Sequence, residues 1–180
     1  MMKVTAERLT GIYLTKALLK KAYDLEDSKM SYKLLYKRGH SIERSILFKI
    51  TMVDIPSFVS VHLVRHSGVG QFHLVSSNRE DWNPDVTPES VNRLTPVTHQ
   101  MILNASHLKS MAGVRLCGSS HIQTVGVMEM IKEAVSKIDP WLAPWMVPKC
   151  WSAGGHCDEV KCCGKVHSCG DFVDWREACK

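Results

Sequence analysis

Three rhythms of apolar and polar residues run along this chain. The Leu- and Lys-rich stretch from Ala6 to Tyr23 predicts an amphipathic helix over 6–23, and a short basic-aliphatic piece follows from Tyr32 to Gly39. Residues 45–53, Ser-Ile-Leu-Phe-Lys-Ile-Thr-Met-Val, are β-branched and apolar enough to predict a strand. Asp54 is placed to cap a helix with Pro56 in its first turn, running through Val64 to Arg65. Gly68 and Gly70 break that helix, and Gln71 to Val75 is expected to be extended. The stretch 80–96, with Pro84, Pro88 and Pro96, is expected to be a loop holding one short helical turn. From Thr98 onward Met101, Ala105, Leu108 and Ala112 are spaced four, three and four, which predicts a helix face. A second helix sets Met128, Ile131, Val135 and Ile138 on one side and stops at Asp139-Pro140. Trp141 to Lys149 reads as an ordered connector, and neither repeats nor low-complexity segments interrupt the chain.

Composition narrows the possibilities only a little. At 180 residues the chain makes one domain, or one domain with a tail, large enough for a proper core. A net charge of +5 suits an anionic ligand and falls short of a nucleic-acid-binding signature, so nucleic acid is not expected as a partner. The apolar runs are too short to span a bilayer, and the start Met1-Met2-Lys3-Val4 has no signal-peptide core. A cytoplasmic protein without membrane contact is expected.

The stretch that carries most chemistry is Arg65-His66, followed by Ser77-Asn78-Arg79. A cation pair at the end of a helix suits the macrodipole and needs no function. The hydroxyl, amide and guanidinium donors that follow are of the kind that bind anions. Arg79 alone also reads as a solvated surface arginine, and Arg115 as a helix-end packing residue or ion-pair partner. Cys117 reads as buried core.

The order of strand, helix ending Leu63-Val64-Arg65-His66, Ser-x-Arg, a long helix near Asn104, and then Val114-Arg115-Leu116-Cys117 resembles the flavin-dependent thymidylate synthases. That family's signature is Arg-His-Arg, a serine about seven residues on, then x-Arg. Its later helix runs from an asparagine to a Leu-Arg-Leu-Cys-like step, the interval kept here from Asn104 to Arg115. Ser41-Ile42-Glu43-Arg44 is similar to the family's approach to its strand. The resemblance covers roughly residues 40–135.

It implies an α/β (α+β) fold with a central mixed sheet packed with helices. The synthase-like domain would span 1–148, with a Cys/His-rich tail over 149–180. It also implies a homotetramer, FAD bound between subunits, and reductive methylation of dUMP or a related pyrimidine nucleotide. The carbon donor would be methylenetetrahydrofolate and the reductant NADPH. By position Arg65 and Arg79 become the catalytic candidates, contacting anion and ring oxygen. His66, Arg44, Ser67 and Asn104 become cofactor contacts, and His62, Gln71, Ser77 and Arg115 join Arg65 and Arg79 as substrate contacts.

Departures cluster on those contacts. Ser67 stands in the third signature position, Ser77 falls two residues late, and His62 occupies a glutamine position. Arg44 replaces a histidine, while Ser106 and Ser119 replace arginines. Each lost guanidinium removes charge-assisted hydrogen bonds worth roughly 1.5–3 kcal/mol to a charged partner. Histidines at 62, 73 and 121 are candidate replacement donors or proton carriers, or structural residues. The chain thus resembles a divergent branch, and a repurposed nucleotide- or flavin-binding protein without catalysis is the alternative.

Six of the seven cysteines lie in the last thirty-one residues. Cys150, Cys157, Cys162 and Cys169, in about twenty residues, suffice to wrap one tetrahedral zinc ion, although their spacings miss the two-residue knuckle. Reduced thiols and disulfides are the other readings.

Overall fold

A computed structural model describes residues 1–23, 31–66, 71–77, 87, 90–157, 159 and 162–164. Strand β1 spans Lys3–Arg8, β2 Leu47–Pro56, β3 Phe72–Val75 and β4 Pro96–Asn104. Helices are α1 (Ile12–Tyr23), α2 (Tyr32–Arg38), α3 (Ser57–Val64), α4 (Ala105–Arg115), α5 (Ile122–Ile138) and α6 (Lys149–Ser152). Two 3-10 turns, Ser41–Ser45 and Ala143–Trp145, link them. The four strands form one sheet in the order β1-β2-β4-β3. The α+β architecture is as expected, but every pairing is antiparallel where a mixed sheet was expected.

The sheet carries the core on one face. Phe48, Ile50, Met52 and Ile55 of β2 alternate inward beside Val97, His99, Met101 and Leu103 of β4, all buried. Each such apolar side chain contributes about 1.5–3 kcal/mol on leaving water. Helix α5 packs along β1, α3 lies on β2 and β4, and α4 joins β4 to α5. Val127, Met128, Ile131 and Val135 of α5 complete the same cluster.

Two elements differ from the periodicity reading. The predicted helix over 6–23 is a strand and then a helix. Val4, Ala6 and Arg8 sit opposite Met52, Ile50 and Phe48, and the chain turns at Thr10 and Gly11 before α1. The predicted helix from Thr98 is β4 up to Asn104. Met101 fits both a four-three-four spacing and the two-residue alternation with Val97, His99 and Leu103, and burial of all four selects the strand. Asp54 caps nothing: β2 bulges between Met52 and Ile55 and Asp54 takes φ +58°, so α3 begins three residues later. Helix α5 stops at Ile138, as Asp139-Pro140 requires.

A buried carboxylate ties the N-terminal strand to the end of α5. Asp139 accepts from the Tyr36 hydroxyl at 2.7 Å, from Arg8 Nη1 at 3.0 Å and from the Leu142 amide at 3.2 Å. Among the described residues no helix is long and apolar enough to cross a membrane.

Candidate functional site

Helix α3 is almost wholly apolar until its last turn, so its polar groups gather at one end. His62 lies half-buried there, Arg65 is exposed one turn on, and His66 is half-buried behind it. The amides of Arg65 and His66 close the helix onto Val61 and Leu63. The C-terminal end of α4 meets this corner: Arg115 Nη2 donates to the His62 carbonyl at 2.8 Å. The first turn of α5 closes it, with Thr124 Oγ1 2.9 Å from His62 Nδ1.

The sequence candidates thus divide. His62, Arg65, His66 and Arg115 converge, and His66 and Arg115 interact electrostatically. Burial is the main cause that lowers the pKa of His62, followed by Arg115, Arg65, His121 and Arg93. His66 is likewise lowered, first by burial and then by Arg115. Both imidazoles therefore favour their neutral form. His66 Nε2, Arg115 Nε and Gln71 Oε1 are buried without a hydrogen-bond partner among the described residues. Gln71 precedes β3 and Ser77 follows it, while Ser76 lines a hollow beside Arg65.

Arg44 and Asn104 lie elsewhere. Asn104 is the N-cap of α4, its Oδ1 accepting from the His107 amide at 2.9 Å. Arg44 is near enough to His107 to depress its pKa, after burial. Eleven residues of α4 separate this end from Arg115, about 16 Å of helix. Ser67 and Arg79 lie outside the described residues.

Between the two ends runs a cleft of about 520 Å³ along α4. Ser106, Ser110 and Val114 form its floor, with Lys37, Arg38, Lys109 and Lys149 around it. Lys109 is held by Glu43 at 2.7 Å and also donates to the Tyr36 carbonyl. Burial raises Glu43 above the usual carboxylate range despite that lysine.

At the α3 end are two shallower hollows. One, of about 400 Å³, is bounded by Ser57, Phe58, Val61, His62, Arg65 and Arg93. The other, of about 560 Å³, is mainly apolar, with Val61, Val64, Val75 and Val97 beside Arg65 and Ser76. Phe58 and Arg93 were missed by sequence reasoning, whereas His121 was among its candidate histidines. Arg93 falls in the stretch read as loop, and nothing in its neighbours marks it. Among the described residues, Arg65, Arg93 and Arg115 form no ion pair with a carboxylate.

The described cysteines of the tail lie near one another: burial, and then Cys157, Cys163 and Cys117, raise the Cys150 thiol, and Cys157 hydrogen-bonds with Cys162. Cys150 is buried, and Cys117, Cys157, Cys162 and Cys163 are half-buried. Among the described residues no three His, Cys, Asp or Glu side chains are placed to hold a metal ion. The expected zinc set of Cys150, Cys157 and Cys162 is not assembled there, and Cys169 lies outside the described residues.

No family model matches the sequence, and no curated protein is similar to it. Solved structures are. Thymidylate synthase X of Helicobacter pylori, with FAD and dUMP, aligns at TM-score 0.65 and 9% identity, over 79% of this chain and 97% of its own. A second structure of that organism's flavin-dependent thymidylate synthase, complexed with FAD and dUMP, gives 0.67 and 10% over 81% and 99%. A UMP/dUMP methylase from Streptomyces cacaoi, bound with 5-Br dUMP, gives 0.60 and 12% over 81% and 94%. The chain has the fold of the flavin-dependent thymidylate synthases.

Proposed function

We propose that this chain binds FAD and a pyrimidine nucleotide and transfers a one-carbon group to the pyrimidine ring. The nucleotide is dUMP or a relative, methylenetetrahydrofolate the carbon donor and a reduced nicotinamide the electron source. One observation carries the reading. In a fold whose solved examples hold FAD and dUMP, the α3 corner gathers Arg65, Arg93 and Arg115 with no carboxylate paired to them among the described residues. Such unbalanced guanidiniums suit a phosphorylated ligand.

The residues present fit the cofactor. The cleft along α4 presents Lys37, Arg38, Lys109, Ser106 and Ser110, a donor set that suits a pyrophosphate. The Nε2 of His66, buried without a partner among the described residues, is a further candidate contact for the flavin. FAD, when bound, supplies the electrons that reduce the transferred carbon. The protein's part is orientation and electrostatics. Arg65, which borders both hollows, would face the developing negative charge on a ring carbonyl, while Arg115 and neutral His62 brace the end of α3 that carries it. Arg79, Ser77, Gln71 and Ser67 extend the substrate and cofactor contacts, and Arg44 and Asn104 steady the other end of the cleft.

A homotetramer is part of the proposal. Phe72 and Leu74 of the edge strand β3 are 65% and 70% exposed, with Leu94 also outward, an apolar surface suited to a second copy.

Binding without transfer is the second reading, favoured by Asn104, whose side-chain oxygen is engaged in capping α4. Tritium release decides between them. Installing carbon at C5 must expel the C5 hydrogen, so dUMP labelled there loses tritium to water when FAD, methylenetetrahydrofolate and NADPH are all supplied. FAD and dUMP binding without release supports the second reading. Absence of both binding and release refutes both.

A further inference from the structure

The backbone of Arg93 is tied to the start of α3. The amides of Ser57 and Phe58 donate to the carbonyls of Thr95 and Arg93 at 2.9 and 3.2 Å. Ser57 Oγ donates to the carbonyls of Asn92 and Arg93 at 3.2 and 3.1 Å. The turn is closed within itself, the Asn92 amide donating to Thr95 Oγ1 at 2.8 Å and the Leu94 amide to Asn92 Oδ1 at 2.8 Å. The side chain leaves this anchored backbone and lays its guanidinium 4.8 Å from the centre of the Phe58 ring.

Phe58 is itself fixed by edge contacts with His62 at 5.4 Å and His121 at 4.7 Å between ring centres. A guanidinium resting on a ring gains cation–π stabilisation but satisfies no conventional hydrogen bond, so its N–H donors stay available. Arg65 stands on the rim shared by the two hollows, the basic one holding Arg93 and the apolar one floored by Val64, Val75 and Val97. A ligand that fills both has an anionic end and a less polar body.

We infer that Arg93, carried on Phe58 in the hollow it shares with Arg65, is a phosphate-binding, specificity-determining residue. It selects a nucleoside monophosphate over the free nucleoside. The inference rests on the pyrimidine-nucleotide reading above. It assigns the phosphate to the basic hollow and the nucleoside to the apolar one. Lysine is a poorer substitute, because a point charge offers one ammonium where the guanidinium offers a planar fork.

The test is calorimetric titration of the full chain with FAD present, using dUMP and deoxyuridine. Arg93→Gln is expected to weaken dUMP at least tenfold and leave deoxyuridine affinity unchanged, with only the small fall in melting temperature that loss of the Phe58 contact brings. Arg93→Lys is expected to restore part of the dUMP affinity. Undiminished dUMP binding by Arg93→Gln, or an equal loss for dUMP and deoxyuridine, overturns the inference while the proposed function stands. Wild-type protein that binds neither compound overturns the proposed function, and the inference with it.

Discussion

Arg115 at the end of α4 donates from Nη2 to the backbone carbonyl of His62 on α3, 2.8 Å away. One contact thereby makes two helices a single support. It satisfies a carbonyl at the free end of α3, as the last turn of any helix requires, and places a guanidinium beside Arg65, His62 and His66. Burial, and then Arg65, lower the pKa of Arg115. The arginine pair is therefore held together against repulsion, as expected where an anion is to be bound.

Arg115→Gln is expected to lower stability by about 1.5–3 kcal/mol, the worth of a hydrogen bond from a charged donor. It is also expected to weaken dUMP binding. Urea unfolding and titration measure the two effects. Unchanged stability would remove the helix-joining role.

Asp139 is 1% exposed and holds Tyr36 and Arg8 together. Asp139→Ala leaves Arg8, whose side chain is 13% exposed, facing a void without its counter-charge. The expected cost is about 3–5 kcal/mol, as for other broken buried pairs. A loss below about 1 kcal/mol in chemical denaturation would contradict this account of the N-terminal latch.

Acid should destabilise the fold through its histidines. His99 is fully buried 3.0 Å from His73, and burial, then His73, hold its pKa down to about 4 from the ordinary 6.5. His62, His66, His73 and His107 are also lowered. Depressed histidines bind protons more readily unfolded, so stability is complete above about pH 6.5 and is lost as pH falls towards 4. The fall from 6.5 to about 4 gives His99 alone on the order of 3 kcal/mol. Glu43, raised by burial, opposes this in the lower part of the window, since it favours the folded state when protonated. His99→Leu should flatten the decline between pH 6.5 and 4 in unfolding measurements. An equally steep decline would show that His99 is not its main source.

Asp54 holds φ +58° at the bulge of β2, and its half-exposed carboxylate pairs with the exposed N-terminal amine at 3.0 Å. A left-handed conformation costs a non-glycine residue about 1–2 kcal/mol, partly offset in glycine by the freedom it loses on folding. Asp54→Gly should therefore raise stability by up to about 1 kcal/mol, seen as a higher melting temperature. A lower melting temperature would refute the strain.

Long-period features were legible in the sequence and local rivals were not. Met128, Ile131, Val135 and Ile138 repeat over a full helix, and a proline follows to stop it, so no other period competes. The stretch around Met101 satisfied two periods at once, and only the neighbour β2 decides which is used. At the site, Arg65, His66, His62 and Arg115 were recognisable because their order along the chain resembles that of a known family. Arg93 and Phe58 were not, because their roles arise from a turn folding onto the start of α3, a contact that no spacing encodes. Asn104, read for the cofactor, also serves as the helix cap, a use that any asparagine before a helix invites.

The most direct test of the central claim is the visible spectrum of the purified chain, with FAD added and desalted away, then titrated with dUMP. The account predicts flavin bands that survive desalting and shift when dUMP binds, as expected if both ligands meet at the α3 corner. A colourless protein that takes up no FAD and no dUMP would contradict it.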